Sequence, residues 1–430
     1  MNRAATIDRR ALLAGMAAVC AGLGAGCAAP RRTPAAAKIV VVGGGFGGST
    51  AAKYIRLLSD HTIDVLLVEP NPRFISAPLS NLVIGGRTTL ADLTTSYDEL
   101  RRRHGVALLR DRVAGIDPAG KTVALDSGAR IRYDKLVLAP GIEPMVGAIE
   151  GLARAHAAGT MLQAWSAGPE TSGLRDQLAG MPDGGVFAIT IPETPYRCPP
   201  APYERASLVA AYLKRYKPRS KVLVLDANQD VVAMGGLFKR AWRDLYAGLL
   251  EYRNHYKAVA VDAGTRTVRF EVADDVQADV WNVLAPVRAG RLAVETGLAD
   301  ADGRWCTVDF STFASTAAPA IHVLGDSIQA APMMPKSGHM ANAHAKVAAA
   351  AIVAELQGLA PDRQPMLTNT CYSFVSETEA IHSAAVYGYD AAERTFKPVA
   401  GSGGASGARA ELEAGYAWGW AKNIWADMLA

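Results

Sequence analysis

The sequence predicts an α/β protein made of two dinucleotide-binding (Rossmann-like) domains followed by a small α+β C-terminal domain. Three observations support this prediction. A glycine-rich turn joins a strand to a helix at residue 43, and a second strand–helix–strand pattern begins near residue 184. After residue 361 the composition changes to aromatic and hairpin-forming segments. A chain of 430 residues is also long enough for about three domains.

The first unit is built around a G-x-G-x-x-G turn. A β-branched run at residues 39–42 predicts a buried strand, and a helix is predicted at residues 49–58. Between them, Gly43 permits a tight turn, Gly45 lets a pyrophosphate approach the backbone, and Gly48 lets the helix pack on the strand. The phosphates are expected at the helix N-terminus.

The strand that follows supports the same interpretation. It is predicted at residues 63–68 and ends in Glu69. An acid about 20 residues beyond the glycines can accept hydrogen bonds from a ribose. A glycine-rich turn without a ligand is the alternative, but it leaves this acid unexplained. We therefore expect a bound dinucleotide, with the Pro- and Gly-bearing loop at residues 73–86 against its ring system.

The first 37 residues predict an export signal and a tether. Arg9 and Arg10 precede an apolar run at residues 11–23, and small residues follow. Paired arginines are typical of twin-arginine export, which moves folded proteins, and an ordinary secretory signal is the alternative. Cys27 stands near a lipoprotein cleavage site. We therefore expect a periplasmic protein, either free or carrying a lipid anchor at Cys27.

Composition excludes several classes of function. The net charge is +4, and no basic block or aromatic-basic array indicates nucleic acid. No apolar run reaches the ~20 residues that a transmembrane helix needs. Three cysteines remain after the signal, namely Cys198, Cys306 and Cys371, and an oxidising compartment permits one disulfide among them. None has the spacing of a metal site, so no metal is predicted.

Two more strand ends belong to the first unit. A strand at residues 136–139 stops at Pro140-Gly141, which resembles the second fingerprint of flavoproteins of the disulfide-reductase type. A strand at residues 321–326 ends in Gly325-Asp326, where an acid can bind a ribityl hydroxyl. Earlier in the chain, after the loop at residues 73–86, residues 92–104 are expected to form one amphipathic helix.

A long alanine-rich helix follows Pro335. Lys336, at its N-terminus, is expected to stabilise negative charge on a reduced flavin, and a solvated surface lysine is the alternative. His339 and His344 lie five residues apart, a spacing that does not put two ligands on one helix face. We interpret both histidines as packing or surface residues.

The second strand–helix–strand unit has prolines where a nicotinamide dinucleotide would need glycines. Proline removes backbone N–H donors, so this turn cannot cradle a pyrophosphate in the usual way. We therefore expect a nucleotide-binding fold without its nucleotide, whose loop carries Cys198 and Glu204 instead. The prolines are Pro192, Pro195, Pro199, Pro200 and Pro202.

The last 68 residues predict a strand hairpin, a glycine-rich loop and a terminal aromatic helix. Trp418, Trp420 and Trp425 on that helix could touch a membrane surface. Packing in the core or at an interface is the interpretation that we favour.

Taken together, the chain after the tether resembles the flavoprotein subunit of flavocytochrome c sulfide dehydrogenase. The matching stretches are AAKYI, LSNLVIGG, APGIE, RCPPAPYERAS, MPKSGHMAN and NTCYS, of which RCPPAPYERAS and NTCYS are the specific ones. The resemblance implies FAD, a redox-active disulfide between Cys198 and Cys371 above the flavin, and Glu204 as a candidate base. It also implies sulfide as substrate, a periplasmic location and a c-type cytochrome partner.

One position departs from the family pattern. Family members can bind FAD covalently through a cysteine in the loop before LSN, and the matching position here is Ala77, which has no sulfur. We therefore expect non-covalent FAD. The other cofactor-binding residues predicted are Gly43, Gly45, Phe46, Gly47, Gly48, Glu69, Pro70, Asn81, Ala139, Pro140, Gly141, Gly325, Asp326, Lys336 and Ser337.

Several alternatives stay open on the sequence. Cys198 and Cys371 could form a structural disulfide, Glu204 could cap the helix that starts near Tyr203, and Cys306 is expected to be an inert buried thiol. A membrane-associated enzyme like sulfide:quinone reductase is the second candidate, and an exported, non-catalytic flavin-binding interaction protein is the third.

The predicted boundaries are residues 1–37 for signal and tether, 38–151 with 291–362 for the FAD-binding domain, 152–290 for the second nucleotide-binding-like domain, and 363–430 for a C-terminal flavin and interface domain.

Overall fold

The computed structural model describes residues 37–430. The predicted export signal and all but the last residue of the tether, with Cys27, lie outside the described residues.

The first unit contains a five-stranded parallel sheet. Its strands are hydrogen-bonded in the order Ile321–Val323, Lys135–Leu138, Lys38–Val42, Asp64–Val68 and Ala107–Leu109. The three central strands are apolar and almost wholly buried, as expected for a parallel sheet covered on both faces. The chain therefore leaves this sheet and returns to it about 180 residues later, as the split first domain requires.

The second unit contains a four-stranded parallel sheet. Its order is Leu250–Arg253, Lys221–Asp226, Val186–Ile191 and Val280–Val283. The helix Ala201–Tyr216 connects its two central strands. The sequence predicts this strand–helix–strand arrangement, in which the proline-rich turn joins the first strand to the helix.

The C-terminal segment is an antiparallel sheet with one long helix. Met366–Phe374 pairs with Ala380–Asp390, which also pairs with Thr395–Pro398 and Gly404–Ala405. The helix Glu411–Leu429 packs on this sheet and on the first unit.

Smaller elements complete the described chain. The remaining strands are Arg73–Ile75 with Thr94–Ser96, Ile142–Pro144 with Val287–Ala289, Val113–Asp117 with Thr122–Leu125 and Arg130–Arg132, and Ala258–Asp262 with Thr267–Phe270 and Val276–Gln277. The other α-helices are Phe46–Leu58, Ser80–Ile84, Asp98–His104, Leu152–Ala157, Pro169–Gly180, Gly235–Leu245, Arg291–Glu295 and Gly338–Leu356.

Two predicted helices differ from the observed ones. The single helix expected at residues 92–104 is wrong, because Thr94–Ser96 forms a strand against Arg73–Ile75 and the helix begins only at Asp98. Two consecutive threonines favour the extended backbone there. The helix expected at residue 49 begins at Phe46, three residues earlier. Because glycine disfavours helix interiors, Gly47 and Gly48 led to a predicted helix start that was too late.

The core follows these sheets. One large apolar cluster joins both parallel sheets and the helix Gly338–Leu356, and a smaller cluster joins the helices Ser80–Ile84 and Glu411–Leu429 to the C-terminal sheet. Within residues 37–430, no helix combines the length and the apolar character that crossing a membrane requires.

Candidate active site

The glycine turn has the geometry that its sequence predicts. Gly43 has φ +97°, and a Cβ there would lie 2.5 Å from the carbonyl oxygen of Ala139. A Cβ on Gly48 would lie 1.8 Å from the carbonyl oxygen of Gly43, so the helix can approach the strand only without a side chain. Around Gly45 nothing lies within 4 Å of an added Cβ. The backbone at Gly45 is therefore open to a ligand.

Glu69 is tied to this turn by its carboxylate. One oxygen accepts from the N–H of Gly44 at 2.7 Å, and the other accepts from the N–H and side-chain amide of Asn71 at 2.8 and 2.7 Å. The hydroxyl of Tyr97 donates to the carbonyl of Gly44 at 3.1 Å. Neither Asn71 nor Tyr97 was identified from the sequence. An asparagine two residues after a strand-end acid was a usable signal, whereas Tyr97 had none.

A cleft of about 590 Å³ opens in front of the turn, a volume typical of a cofactor site. It is also lined by the start of the helix Pro169–Gly180 and by the loop before it. The predicted cofactor residues that line it are Gly43, Gly45, Phe46, Gly47, Glu69, Ala77, Ala139, Pro140, Gly141, Gly325 and Asp326.

Five predicted cofactor residues do not line this cleft. Gly48 lies behind the turn, where it lets helix and strand meet, and Pro70 lies away from the cleft. Asn81 and Ser337 line a second cavity, described below. Lys336 lines neither.

The alternative of a solvated surface lysine was wrong for Lys336, and its role toward a reduced flavin stays a prediction. The side chain is buried, and its ammonium donates to the carbonyl oxygens of Asp326, at 3.1 Å, and Ile328. It also lies 3.6 Å from the ring centre of Trp305. Burial lowers the pKa of Lys336 to about 8. The ammonium therefore stabilises the loop that follows the strand Ile321–Val323.

Asp326 fits a ligand in the cleft. One oxygen lies 3.3 Å from Nε of Arg197, while Oδ1 is buried without a hydrogen-bond partner within the described residues. A buried carboxylate oxygen without a partner is costly, and a hydroxyl of a bound cofactor would satisfy it. This agrees with the ribityl contact that we expect for Asp326.

The second cavity, of about 60 Å³, holds the predicted catalytic residues. Cys198, Cys371 and Glu204 all line it. Ala77, Arg197 and Gly338 line both this cavity and the large cleft, so the two spaces are adjacent. We call it the cysteine cavity. The structure thus brings together residues that are far apart in the sequence.

Cys198 is held by the loop after the first strand of the second unit. Its N–H donates to the carbonyl of Lys336 at 2.7 Å, and its φ is +51°, a left-handed conformation that is uncommon outside glycine. The carbonyl of Cys198 accepts from Ala201 at the start of the following helix. These contacts fix the thiol at the cavity wall. Burial raises the pKa of Cys198, and Cys371 and Glu204 add to this effect.

Cys371 lies on the strand Met366–Phe374. The side-chain amide of Asn369 donates to its Sγ at 3.3 Å, and the hydroxyl of Ser337 donates to the other end of that amide at 2.6 Å. Ser337 also accepts from the N–H of Met340, as the N-cap of the helix Gly338–Leu356. Burial raises the pKa of Cys371, and the Asn369 contact opposes this.

Cys198, Cys306 and Cys371 are free thiols in the structure. The redox-active disulfide therefore stays a prediction. Cys306 is fully buried, and burial raises its pKa to about 12. This agrees with the expected inert thiol.

The side chain of Glu204 makes no capping hydrogen bond to its own helix, although Glu204 lies in the first turn of that helix. One carboxylate oxygen accepts from the N–H of Phe374 at 2.8 Å, and the other accepts from the side-chain amide of Asn81 at 2.7 Å. The carboxylate therefore faces the C-terminal sheet and the cysteine cavity. Burial raises the pKa of Glu204 to about 7, although both donors and the charge of Arg205 oppose the shift.

Four further residues of the cysteine cavity were not identified as functional from the sequence. Arg197 and Arg205 contribute guanidinium groups, while His339 and Trp420 form part of another wall. Nδ1 of His339 accepts from the N–H of Thr370 at 2.9 Å. Arg197 directly precedes Cys198, and this position could have identified it as a site residue. No local pattern marked Arg205, His339 or Trp420.

The tryptophans of the terminal helix are packed. Trp418, Trp420 and Trp425 are half-buried against the apolar cluster beneath that helix. Trp420 also lines a surface groove on the far side of His339 and Tyr372. His344 is buried and stacks on Phe313, as a packing residue.

The second unit has its own strand-end acid, Asp226, but protein groups occupy it. Tyr203 and Tyr252 donate hydroxyls to one oxygen at 2.7 and 3.1 Å. The other oxygen accepts from the N–H and side chain of Asn228 at 2.9 and 2.8 Å. A ribose would have to displace these donors. Among the residues that the structure describes, no group of three or more His, Cys, Asp or Glu side chains could hold a metal.

Family profiles match three parts of the chain. The profile for pyridine nucleotide-disulphide oxidoreductases matches residues 37–167. The central profile of the sulfide dehydrogenase (flavocytochrome c) flavoprotein chain matches residues 171–285, and the flavin-binding profile of flavocytochrome c sulphide dehydrogenase matches residues 363–429.

Individual proteins agree with these profiles. The sulfide dehydrogenase (flavocytochrome c) flavoprotein chain of Chlorobaculum thiosulfatiphilum is 56% identical over 46 residues, which are 11% of this chain and 94% of that protein. Mitochondrial sulfide:quinone oxidoreductase of Mus musculus is 26% identical over 310 residues, 67% of this chain and 65% of that protein. This chain therefore matches slightly less than two thirds of the mouse protein's length.

The solved structures show the shared fold. The sulfide:quinone oxidoreductase of Aquifex aeolicus superposes with a TM-score of 0.73 at 19% identity, covering 91% of this chain and 92% of that one. Fold, cleft and profiles define the class, a flavin-dependent oxidoreductase that binds FAD. Within that class, the chain belongs to the family of flavocytochrome c sulfide dehydrogenase flavoprotein chains.

Proposed function

We propose that this protein oxidises sulfide through a redox-active disulfide between Cys198 and Cys371 and passes the electrons through non-covalent FAD to a c-type cytochrome in the periplasm. One observation carries the proposal. Cys198, Cys371 and Glu204 line a single small cavity, which shares Ala77 and Arg197 with the cofactor cleft. Sulfur chemistry in that cavity would take place beside the flavin.

The first step is a thiol–disulfide exchange. Hydrosulfide attacks Sγ of Cys198, a new S–S bond forms there, and the bond to Cys371 breaks with its electron pair on the departing sulfur. The side-chain amide of Asn369 points at that sulfur and stabilises its negative charge. This contact is the reason to assign the leaving thiolate to Cys371.

Glu204 handles the proton. The persulfide on Cys198 retains the proton of the incoming hydrosulfide, and Glu204 accepts it. A carboxyl with a pKa of about 7 is suited to both accepting and returning a proton near neutral pH. An ordinary surface glutamate would be too weak a base for this task.

The cofactor would be held by the glycine turn that begins at Gly43, by Glu69 after the strand Asp64–Val68, and by Asp326 after the strand Ile321–Val323. Bound FAD would supply the two-electron acceptor that the net oxidation of hydrosulfide to elemental or chain sulfur requires, and it would allow the electrons to be passed on singly. Ala77 supports non-covalent attachment, because it offers no sulfur.

An anaerobic titration with sulfide tests the proposal. Sulfide should bleach the flavin absorbance of the purified holoprotein, and Cys371→Ala should abolish the bleaching while FAD stays bound. Cys306→Ala is the matched control, because that thiol is buried and lines neither cavity. Bleaching of Cys371→Ala at the wild-type rate would overturn the mechanism.

The electron acceptor is tested separately. A sulfide:quinone oxidoreductase activity is the second candidate, because the mouse and Aquifex proteins of that name match this chain in sequence or fold. Reduction of a quinone analogue but not of cytochrome c would favour it.

The third candidate is tested by the same titration. If sulfide never bleaches the flavin while Cys198 and Cys371 are both reduced, the protein would be a non-catalytic flavin-binding interaction protein. Fractionation of the producing cell tests the periplasmic location.

A further inference from the structure

We propose that Arg205, acting through the side-chain amide of Asn81, is a positioning residue that keeps Glu204 available as a base. The inference rests on the proposed role of Glu204 and names the residues that regulate it. Neither Arg205 nor the link through Asn81 follows from the sequence pattern.

Arg205 is a buried cation with unusual partners. Its side chain donates to Oδ1 of Asn81 at 3.0 Å, to Oδ1 of Asn282 at 2.6 Å, and to the carbonyls of Gln163 and Ala164 at 3.2 and 2.7 Å. All four acceptors are uncharged. A buried guanidinium among neutral acceptors still needs a compensating negative charge nearby. Glu204, its neighbour in the same helix, provides the carboxylate.

Asn81 connects the two charges in a fixed orientation. A guanidinium can only donate, so it requires the oxygen of the Asn81 amide on its own side. The amide nitrogen is then directed to Glu204, where it donates at 2.7 Å. Asn81 also donates to the carbonyl of Ala201 at 3.1 Å, which holds it against the catalytic helix. Arg205 on the oxygen side and the carbonyl of Ala201 on the nitrogen side therefore set which end of the amide Glu204 meets.

The consequence is that both oxygens of Glu204 face donors. Asn81 serves one oxygen, and the N–H of Phe374 serves the other. Two fixed donors favour the ionised carboxylate and disfavour the acid. Without Arg205 the amide oxygen of Asn81 loses its donor, and the hydrogen bond to the carbonyl of Ala201 is the remaining contact that opposes a turn of this oxygen toward Glu204. Such a turn would favour the protonated acid.

Other groups face the same cavity from different elements. The loop contributes Arg197 and Cys198, the C-terminal strand contributes Cys371 and Tyr372, and the helix Gly338–Leu356 contributes His339. Burial lowers the pKa of His339, so this imidazole is neutral at pH 7. Burial raises the pKa of both thiols, so they are neutral as well. Arg205 is then the cation that opposes the effect of burial on Glu204.

The first experiment titrates Glu204 directly and needs no turnover. Infrared difference spectra of the FAD-loaded protein, recorded against Glu204→Gln across pH, report the carbonyl stretch of the protonated carboxyl. Arg205→Met should move its midpoint upward by about one pH unit or more, since a nearby opposite charge shifts a carboxyl by about 1–3 units. An unchanged midpoint overturns the proposal.

A second variant covers the case in which Arg205→Met does not fold. Asn81→Leu removes the link but keeps the cation, and it should also raise the midpoint. Arg175→Met is the matched control, because it removes a part-buried guanidinium that lies 4.2 Å from the ring centre of Tyr212 and has no contact with Glu204. A midpoint that moves as far in Arg175→Met as in Asn81→Leu would overturn the proposal.

Kinetics separate this inference from the proposed function. If sulfide bleaches the flavin, the pH limb of the rate should move upward in Arg205→Met, and the double variant Arg205→Met/Glu204→Gln should lack this limb, as Glu204→Gln alone does. If the infrared midpoint moves but sulfide never bleaches the flavin, the link to Glu204 stands and the proposed function fails. Additive pH effects in the double variant would show that Arg205 does not act through Glu204.

Discussion

Replacing Glu204 with glutamine should remove a general base and, with it, one pH dependence. Glutamine keeps the size of the side chain, and its oxygen can still accept from the N–H of Phe374, so the cavity should survive. It cannot take up a proton. A general base contributes about 10²–10⁴-fold to the rate of its step, and we expect a loss in that range at about pH 8.

The pKa of Glu204 determines how this loss varies with pH. With a pKa of about 7, about one tenth of the carboxyl is ionised at about pH 6 and about nine tenths at about pH 8. Only the ionised form is a base, so the wild-type rate should rise about tenfold over this interval and fall as pH drops through 7. A glutamate at its ordinary value of 4.5 would be ionised throughout and would show no such rise.

The assay is anaerobic stopped-flow bleaching of the flavin. The hydrosulfide concentration is held constant, because dissolved sulfide also changes its protonation in this range. The ratio of the wild-type rate to the Glu204→Gln rate then isolates the carboxyl. A ratio that stays flat between about pH 6 and about pH 8 would refute the assignment, as would a variant that bleaches at the wild-type rate.

Three further predictions concern the cofactor and the leaving thiolate. Gly48→Ala should weaken FAD retention at least about tenfold, measured by equilibrium dialysis, because its Cβ would lie 1.8 Å from the carbonyl oxygen of Gly43. Asn369→Leu should slow bleaching about 10- to 100-fold, because a hydrogen bond to a charged group contributes about 1.5–3 kcal/mol and Cys371 loses one. Acid denaturation should release all flavin into the filtrate, because Ala77 cannot form a thioether.

Each of these has a clear opposing result. Gly115→Ala is the control for the glycine, since nothing lies within 4 Å of the Cβ that it adds, and it should retain FAD like the wild type. Gly48→Ala binding FAD at full affinity would contradict the packing argument. Asn369→Leu bleaching at full speed would reassign the leaving sulfur. Flavin that remains on the denatured polypeptide would show a covalent bond elsewhere in the chain.

Local patterns predicted the elements that hold the cofactor. The second strand–helix–strand pattern, expected from near residue 184, begins with the strand Val186–Ile191, and the turn at Gly43 has the conformation that its spacing requires. Strand, turn and helix here are dictated by neighbours within a few residues, since buried β-branched runs and glycines with positive φ act locally. The same locality explains the error at Thr94–Ser96, which pairs with a strand about 20 residues away.

The electrostatics of the cysteine cavity were beyond such patterns. Glu204 accepts from Phe374, 170 positions along the chain, and Arg205 reaches Asn81 across 124 positions. The sequence alone identified which residue types carry the chemistry, because cysteines, an acid and a glycine turn have intrinsic reactivity and backbone preferences. Only the tertiary structure shows that the ammonium of Lys336 is buried and that the pKa of Glu204 is raised. These properties depend on burial and on contacts with residues that are distant in the sequence.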